Sequence, residues 1–219
     1  MQFLRRPSII FSILFFLCIQ VNAQDYFLKD KVPFDPAIPS PEAFLGYPIG
    51  GQHTRHDQIV AYLTKLAELS NRASIITYGE THEHRKLVML TVSTPENLQN
   101  LPQIKQQHLQ FVNPNATPTN YDAVPIFINL GYNVHGNEPS SSEAALLTAY
   151  TLVASNSPEV QNYLKNAVVF IDPTINPDGR DRHTQWANQY KGNPLVSDNL
   201  DAEHNEGWPR GRTIHYWFD

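Results

Sequence analysis

Cysteine is almost absent from this sequence, because the one cysteine among 219 residues, Cys18, lies in the first apolar stretch. Once that stretch is removed, the chain has no disulfide to stabilise it and no thiol for catalysis or metal binding. A strong charge imbalance is also absent, since 16 basic and 21 acidic side chains give a net charge of -5. No basic patch stands out, which excludes nucleic acid as a partner. Internal repeats are absent as well.

The N-terminus has the three parts of a secretory signal peptide. Arg5 and Arg6 form a positive region, residues 9–21 form a short apolar run, and a Val-Asn-Ala cleavage pattern precedes Gln24. The alternative is a membrane anchor, but the apolar run is short for a span of about 20 residues. We therefore predict that residues 1–23 are cleaved and leave no membrane segment. The expected location is a bacterial periplasm, a cell surface or the extracellular space.

Patterns along the rest of the chain predict an arm followed by one domain. Residues 24–54 are rich in proline, glycine and aromatic side chains, which predicts an extended arm lying on the domain. Apolar spacing and β-rich runs predict a helix over 56–70, a hairpin over 74–79 and 86–93, a short helix near 97–110, a strand over 124–130, a helix over 140–155 and a strand over 167–171. Residues 176–219 show almost no periodicity.

This order of elements predicts the fold class. A helix, a hairpin and then a strand, helix and strand make an α/β domain over residues 55–219, with a mixed β-sheet flanked by helices. Residues 124–171 form a strand–helix–strand unit. Open α/β sheets bind ligands at the carboxyl ends of their strands. We therefore expect functional side chains in the loops that follow the strands near 130 and 171.

The stretch "NVHGNEPSSSEAALLTAY" places a histidine and a glutamate in the first of these loops. His135 follows the predicted strand, Glu138 stands three residues later, and Gly136 relaxes the backbone between them. Such a loop can aim an imidazole and a carboxylate at one point, as a zinc site requires. The alternative is that both are ordinary polar loop residues, with Glu138 only interacting with the helix dipole.

The residues after Glu138 predict how the next helix begins. Pro139 suits the first helical position. Ser140 and Glu143 have the spacing of a capping box, in which each side chain bonds the other residue's backbone. The helix is then expected to hold one of the two metal-capable side chains, while the end of the strand holds the other.

A second motif follows the next predicted strand. "FIDPTINPDGRDR" places Asn-Pro-Asp-Gly at residues 176–179. Alone, this sequence predicts a proline–glycine turn. The two motifs in this order are more specific than either motif alone. One strand leads to His-Gly-x-Glu and a helix, and the following strand leads to Asn-Pro-Asp-Gly.

With these motifs the sequence resembles the zinc carboxypeptidases, the M14 or carboxypeptidase A-like metallopeptidases. The matching stretches are "YGETHEHRKLVMLTVS", "NVHGNEPSS" and "INPDGRDR", and the resemblance covers residues 56–219. It implies a zinc-peptidase-like sheet of the phosphorylase/hydrolase type. It also implies Zn²⁺ as cofactor, with His135 and Glu138 as ligands. The implied activity is that of a secreted metallocarboxypeptidase that hydrolyses the C-terminal peptide bond of a peptide or protein.

The resemblance also implies residues that this chain does not reach. The family's third ligand is a histidine well downstream, its general base is a glutamate further on, and an Asp-x-Asn-Arg motif precedes both. Asp219 resembles the first residue of that motif, whose role is to orient the zinc histidine, here His135; alternatively it has no role. Arg212, or else Arg210, resembles the arginine that stabilises the oxyanion. We therefore expect a C-terminally truncated catalytic domain that is inactive alone and prone to aggregate.

Two other functions remain open from the sequence. One is a non-catalytic exported module that binds a peptide or glycan, and the other is an M14-like hydrolase of a small amide. The sequence does not predict an oligomeric state. We interpret five other histidines as polar loop residues: His82, His84, His183, His204 and His215.

Overall fold

A computed structural model describes residues 23–117, 120–194 and 196–206. In this part of the chain, four strands form one sheet: β1 (Ala73–Glu80), β2 (Lys86–Val92), β3 (Ile126–Gly131) and β4 (Ala167–Asp172). Their order is β1-β2-β4-β3, with β3 and β4 parallel and the other two pairs antiparallel. The predicted mixed sheet is confirmed. Of the predicted signal peptide, only Ala23 lies among the described residues.

The same residues form eight α-helices. They are α1 (Ala23–Leu28), α2 (Pro41–Leu45), α3 (His56–Leu69), α4 (Pro95–Gln99), α5 (Leu101–Phe111), α6 (Ser140–Ala154), α7 (Pro158–Asn166) and α8 (Pro177–Tyr190). Two short 3-10 helices span Lys29–Lys31 and Ala202–His204.

Strand β4 shows why helices cover both faces of the sheet. Successive side chains of a strand point to opposite faces. Ala167, Val169 and Ile171 enter the larger core, which α3, α6 and α7 share. Val168 and Phe170 belong to a smaller core on the other face, with residues of α5. A strand apolar on both faces needs helices on both, so the predicted flanking of the sheet by helices is confirmed.

Most of the predicted elements lie where the sequence places them. Helix α3 buries Ile59, Leu63 and Leu66 at helical spacing, as predicted. Strands β1 and β2 form the predicted hairpin. The short helix predicted near 97–110 is two helices, α4 and α5, which meet at Asn100. β3 differs from the prediction of a buried strand, because Ile126 is 57% exposed and β3 ends the described sheet.

Helix α8 was missed by the sequence analysis, which found no periodicity after residue 176. Asn176 caps this helix by accepting a hydrogen bond from the Gly179 N–H at 2.9 Å, and Pro177 occupies its first turn. The Asn-Pro-Asp-Gly motif is therefore the start of a helix rather than an isolated turn. The helix buries Arg180, His183, Thr184 and Ala187. That spacing is helical, but the buried face is mostly polar, so an apolar pattern could not reveal it.

The N-terminal arm lies against the domain and contains α1, α2 and the first 3-10 helix. Phe34 forms an isolated bridge with Ser155, and its ring stacks on Tyr150 at 4.8 Å. The Asp35 N–H donates to the Ala154 carbonyl at 2.8 Å. These contacts attach the arm to the end of α6. No helix in the described part of the chain is both long enough and apolar enough to span a membrane.

Candidate metal site

The loops after β3 and β4 are joined by backbone hydrogen bonds that continue beyond the strands. The Tyr132 N–H donates to the Asp172 carbonyl, and the Ile175 N–H donates to the Tyr132 carbonyl, both at 2.9 Å. The Asn176 N–H donates to the Asn133 carbonyl at 3.2 Å. The His-Gly-x-Glu and Asn-Pro-Asp-Gly motifs therefore lie side by side at the carboxyl end of the parallel strand pair.

Asn133 fixes the backbone of the loop that carries His135 and Glu138. It is buried and has a φ of 56°, a left-handed conformation that asparagine tolerates. Its side-chain amide donates to the carbonyls of both His135 and Glu138, at 2.9 and 3.0 Å. The Glu138 N–H donates to the His135 carbonyl at 3.0 Å. The two predicted ligands are thus held on one tight turn.

Gly136 lets this turn approach the start of α8. A Cβ atom at Gly136 would lie 1.9 Å from the Gly179 carbonyl carbon and 2.2 Å from its oxygen, so the Gly179 backbone leaves no room for a side chain at Gly136. The Asn176 amide also donates to the Val134 carbonyl at 3.2 Å. The contact explains why the first motif needs glycine at this position.

His135 and Glu138 are of the residue types that bind zinc, and they could supply two of its ligands. Both are partly buried, and zinc accepts imidazole nitrogen and carboxylate oxygen as ligands. Within residues 23–117, 120–194 and 196–206, no three His, Cys, Asp or Glu side chains are grouped to hold a metal ion. A catalytic zinc takes three protein ligands, so the described residues offer one fewer than it needs.

The start of α6 differs from the predicted capping box. Pro139 is the N-cap residue and Ser140 is the first residue of the helix, with no side-chain cap. Glu143 turns instead toward a buried network. Its carboxylate accepts hydrogen bonds from the Thr54 N–H and hydroxyl, both at 2.8 Å, and from the Arg180 guanidinium at 2.6 Å. Burial lowers the pKa of Arg180, and the charge of Glu143 opposes that change.

A cavity of about 400 Å³ opens beside the loop, next to Asn137 and Pro139. His53, His183 and Trp186 contribute to its wall, and the two imidazole rings meet edge to face at 5.3 Å. Burial, followed by the nearby charge of His183, lowers the pKa of His53 to about 4. Burial also lowers the pKa of His183. Both imidazoles are therefore neutral near pH 7.

His183 was interpreted from the sequence as a polar loop residue, and this interpretation is wrong. It is a buried residue of α8, and its Nδ1 lies 3.5 Å from the Glu206 carboxylate. His82 and His84 are exposed in the hairpin turn, and His204 is exposed in the second 3-10 helix. His215 lies outside the described residues.

A polar pair at the end of β4, the buried Asp172 and the partly exposed Tyr78, was not predicted from the sequence. The Tyr78 hydroxyl donates a short hydrogen bond to the Asp172 carboxylate. Burial raises the pKa of both groups. A carboxylate directly after the apolar run of β4 was a usable signal for Asp172. Arg180 and His53 gave no comparable signal, because their partners lie far away in the sequence.

Arg210, Arg212 and Asp219 lie outside the described residues. The oxyanion role of either arginine, and the orienting role of the aspartate, therefore stay predictions.

Comparison with known proteins gives one family match. The model of the family described as zinc carboxypeptidase, peptidase family M14, matches residues 59–214. Carboxypeptidase Z of Gallus gallus is 25% identical over 188 residues, which are 81% of this chain and 25% of that protein. The chain thus spans about a quarter of the length of this curated relative.

Solved structures give weaker likenesses. Carboxypeptidase A from Helicoverpa armigera has a TM-score of 0.47 and 20% identity, covering 81% of this chain and 37% of that one. A metallo-carboxypeptidase from Burkholderia cenocepacia has a TM-score of 0.41 and 17% identity, covering 69% and 31%.

Proposed function

The chain belongs to the zinc carboxypeptidase family, and from this premise we propose that it forms part of the catalytic domain of an exported metallocarboxypeptidase. The proposed reaction is hydrolysis of the C-terminal peptide bond of a peptide or protein. The observation that supports it is the junction of the two motif loops at the carboxyl ends of β3 and β4, where open α/β sheets place their ligands.

In this proposal His135 and Glu138 are zinc ligands. When bound, zinc polarises the scissile carbonyl and lowers the pKa of its water. Asn133 holds the backbone of both residues in place, so the loop is ordered before metal arrives. Arg212, or else Arg210, is assigned to stabilise the oxyanion. Asp219 is assigned to orient the His135 imidazole and raise its basicity.

The cavity beside the loop suits a peptide. Its wall includes the neutral imidazoles of His53 and His183, the indole of Trp186, and one side chain of each charge, Lys191 and Glu203. Both charged groups bond the backbone, at the Gly51 carbonyl and the Gly192 N–H. Such a wall offers hydrogen-bonding and apolar surface to a peptide. We assign the cavity to a part of the substrate that adjoins the scissile bond.

The 219 residues by themselves are expected to have little or no peptidase activity. Two proposed ligands are one fewer than a catalytic zinc takes, and none of the described residues is assigned as the general base. Zinc-dependent release of C-terminal residues by the purified chain would contradict this expectation.

The first test is zinc binding by the protein purified from the full 219-residue sequence. We expect one zinc per chain, lost in His135→Ala and in Glu138→Ala, measured by metal analysis after dialysis and by competition with a chromophoric chelator. The affinity should be lower than that of a three-ligand site, because the described residues group only two proposed ligands.

The hairpin turn supplies a matched control. His84 and Glu80 also pair an imidazole with a carboxylate, at 3.6 Å, but both are exposed. His84→Ala and Glu80→Ala should leave zinc binding unchanged. Equal zinc binding in all four variants and the unchanged protein would contradict the assignment of His135 and Glu138. Retained binding of a peptide without any zinc would favour the non-catalytic binding module.

A further inference from the structure

We infer that Arg180, through its ion pair with Glu143, is a positioning residue for the metal loop, and that Thr54 of the N-terminal arm completes this network. The inference rests on the proposed role of Glu138 as a metal ligand. The N-terminal arm lies outside both motifs, and this inference includes it among the parts of the chain that form the site.

Arg180 holds the backbone directly after the proposed ligand. Its Nη1 donates to the Pro139 carbonyl at 2.8 Å. Asn133 holds the preceding carbonyl, that of Glu138, at 3.0 Å. Two consecutive peptide groups, Glu138–Pro139 and Pro139–Ser140, are therefore each held by one side chain. Removal of either hydrogen bond frees the backbone that aims the Glu138 carboxylate.

The arginine can act this way because its charge is buried and fully partnered. Arg180 is 0% exposed and Glu143 is 6% exposed. The other two guanidinium nitrogens, Nε and Nη2, donate to the Thr54 carbonyl at 2.9 Å and the Glu143 carboxylate at 2.6 Å. A buried ion pair with good geometry and satisfied hydrogen bonds resists rearrangement, since a lone buried charge is strongly unfavourable. The pair thus acts as a rigid support behind the loop.

Thr54 connects the arm to this support through three contacts. Its N–H and hydroxyl donate to the two oxygens of Glu143, and its carbonyl accepts from Arg180. The neighbouring arm backbone is held by the same helix: Asn188 exchanges two hydrogen bonds with the His53 backbone, and the Lys191 ammonium donates to the Gly51 carbonyl. Helix α8 therefore links residues 51–54 of the arm to the metal loop.

The experiment compares two local readouts in variants of the 219-residue protein. Arg180→Lys, Glu143→Gln and Thr54→Val each remove part of the network. Hydrogen exchange of the metal-free protein, followed by mass spectrometry, reports on residues 132–139 and, separately, on β4. Competition with a chelator gives the zinc dissociation constant.

We expect faster exchange confined to residues 132–139 in all three variants, together with a rise in the zinc dissociation constant of about tenfold or more, as for other groups that orient metal ligands. Thr54→Ser keeps the hydroxyl and should restore both values. Arg72→Lys is the matched control, because Arg72 likewise bonds a backbone carbonyl, that of Ser155 at 2.9 Å, at the far end of α6. It should match the unchanged protein in both readouts.

Variants that fold but keep the same hydrogen-exchange rate in residues 132–139 would overturn the inference. An equal loss of protection from exchange in the loop and in β4 would also overturn it, because that result indicates a general loss of stability. If Arg180→Lys does not fold, the comparison of Thr54→Val with Thr54→Ser decides the question. Absence of zinc binding by the unchanged protein would count against the proposed function, whereas the exchange comparison would still decide the role of Arg180.

Discussion

At the scale of single residues, His53 makes the stability of the protein depend on pH. The pKa of His53 is about 4 in the folded chain and 6.5 in its ordinary state, so the unfolded chain binds more protons between these values. Stability therefore falls as the pH drops from about 6.5 to about 4. A shift of that size corresponds to about 3 kcal/mol, which contact with solvent reduces to about 1–2 kcal/mol. The lowered pKa of His183 acts in the same direction.

Urea unfolding at about pH 7 and about pH 5 measures this effect. His53→Gln removes the titrating group, while the backbone atoms of residue 53 remain available to Asn188. We expect the variant to lose less stability than the unchanged protein between the two pH values, by about 1 kcal/mol. His84→Gln, in the exposed hairpin turn, is the control and should follow the unchanged protein. A His53→Gln variant with the same pH dependence would contradict the prediction.

The residues of the candidate site differ in how far the sequence could predict them. His135 and Glu138 stand three apart, so a local motif identified them. The partners of Arg180 lie 37 and 126 positions away in the sequence. Spacing along one chain does not record such contacts, because the fold alone brings them together. The sequence could therefore predict the proposed ligands but not the residues that support them.

At the scale of elements, Asn176 both starts α8 and holds the metal loop. Its Oδ1 accepts from the Gly179 N–H, and its Nδ2 donates to the Val134 carbonyl. Asn176→Ala removes both bonds. We expect a loss of about 2–3 kcal/mol in the free energy of unfolding, of which the helix cap accounts for about 1–2 and the bond to Val134 for about 1. Urea unfolding at neutral pH provides the measurement.

Two further variants separate the contributions. Asn176→Asp keeps the helix cap and loses only the donated bond, so its stability should lie between those of the unchanged protein and Asn176→Ala. Thr94→Ala removes the cap of α4, where the Thr94 hydroxyl accepts only one cap bond, from the Asn97 N–H at 3.2 Å. It should cost about 1 kcal/mol. Equal losses in Asn176→Ala and Thr94→Ala would show that the bond to Val134 contributes nothing.

The helices also show where sequence patterns succeed and fail. Ile59, Leu63 and Leu66 place an apolar stripe on α3, and the pattern predicted that helix to within one residue. Helix α8 has the same spacing but buries Arg180 and His183, whose charge or polarity is satisfied by distant partners. An apolar period cannot detect a helix whose buried face is polar. Its cap motif, Asn followed by Pro, was the available signal.

At the scale of the whole molecule, the two faces of the sheet differ in how completely they are covered. The larger core joins α3, α6, α7 and the arm to one face, and its apolar side chains are almost fully buried. The core on the other face has three buried residues, Ile104, Val124 and Val168. Aromatic contacts continue from it to the surface: Phe111 packs against Tyr121, which is 60% exposed.

The β3 edge of the sheet is expected to make the protein self-associate. Ile126 lies on this edge beside Ala167, on the side of the larger core. In the described sheet β3 pairs only with β4, and Ile126 is 57% exposed. Exposed apolar edge strands promote association, and a lysine there opposes it. Ile126→Lys should therefore weaken self-association by about tenfold, since burial of one isoleucine contributes about 1.5–3 kcal/mol. Sedimentation velocity over a range of concentrations measures the change. Leu69→Lys, at the end of helix α3 rather than on an edge strand and 44% exposed, is the control and should have a smaller effect. A chain that stays monomeric at every concentration and melts sharply would contradict the prediction.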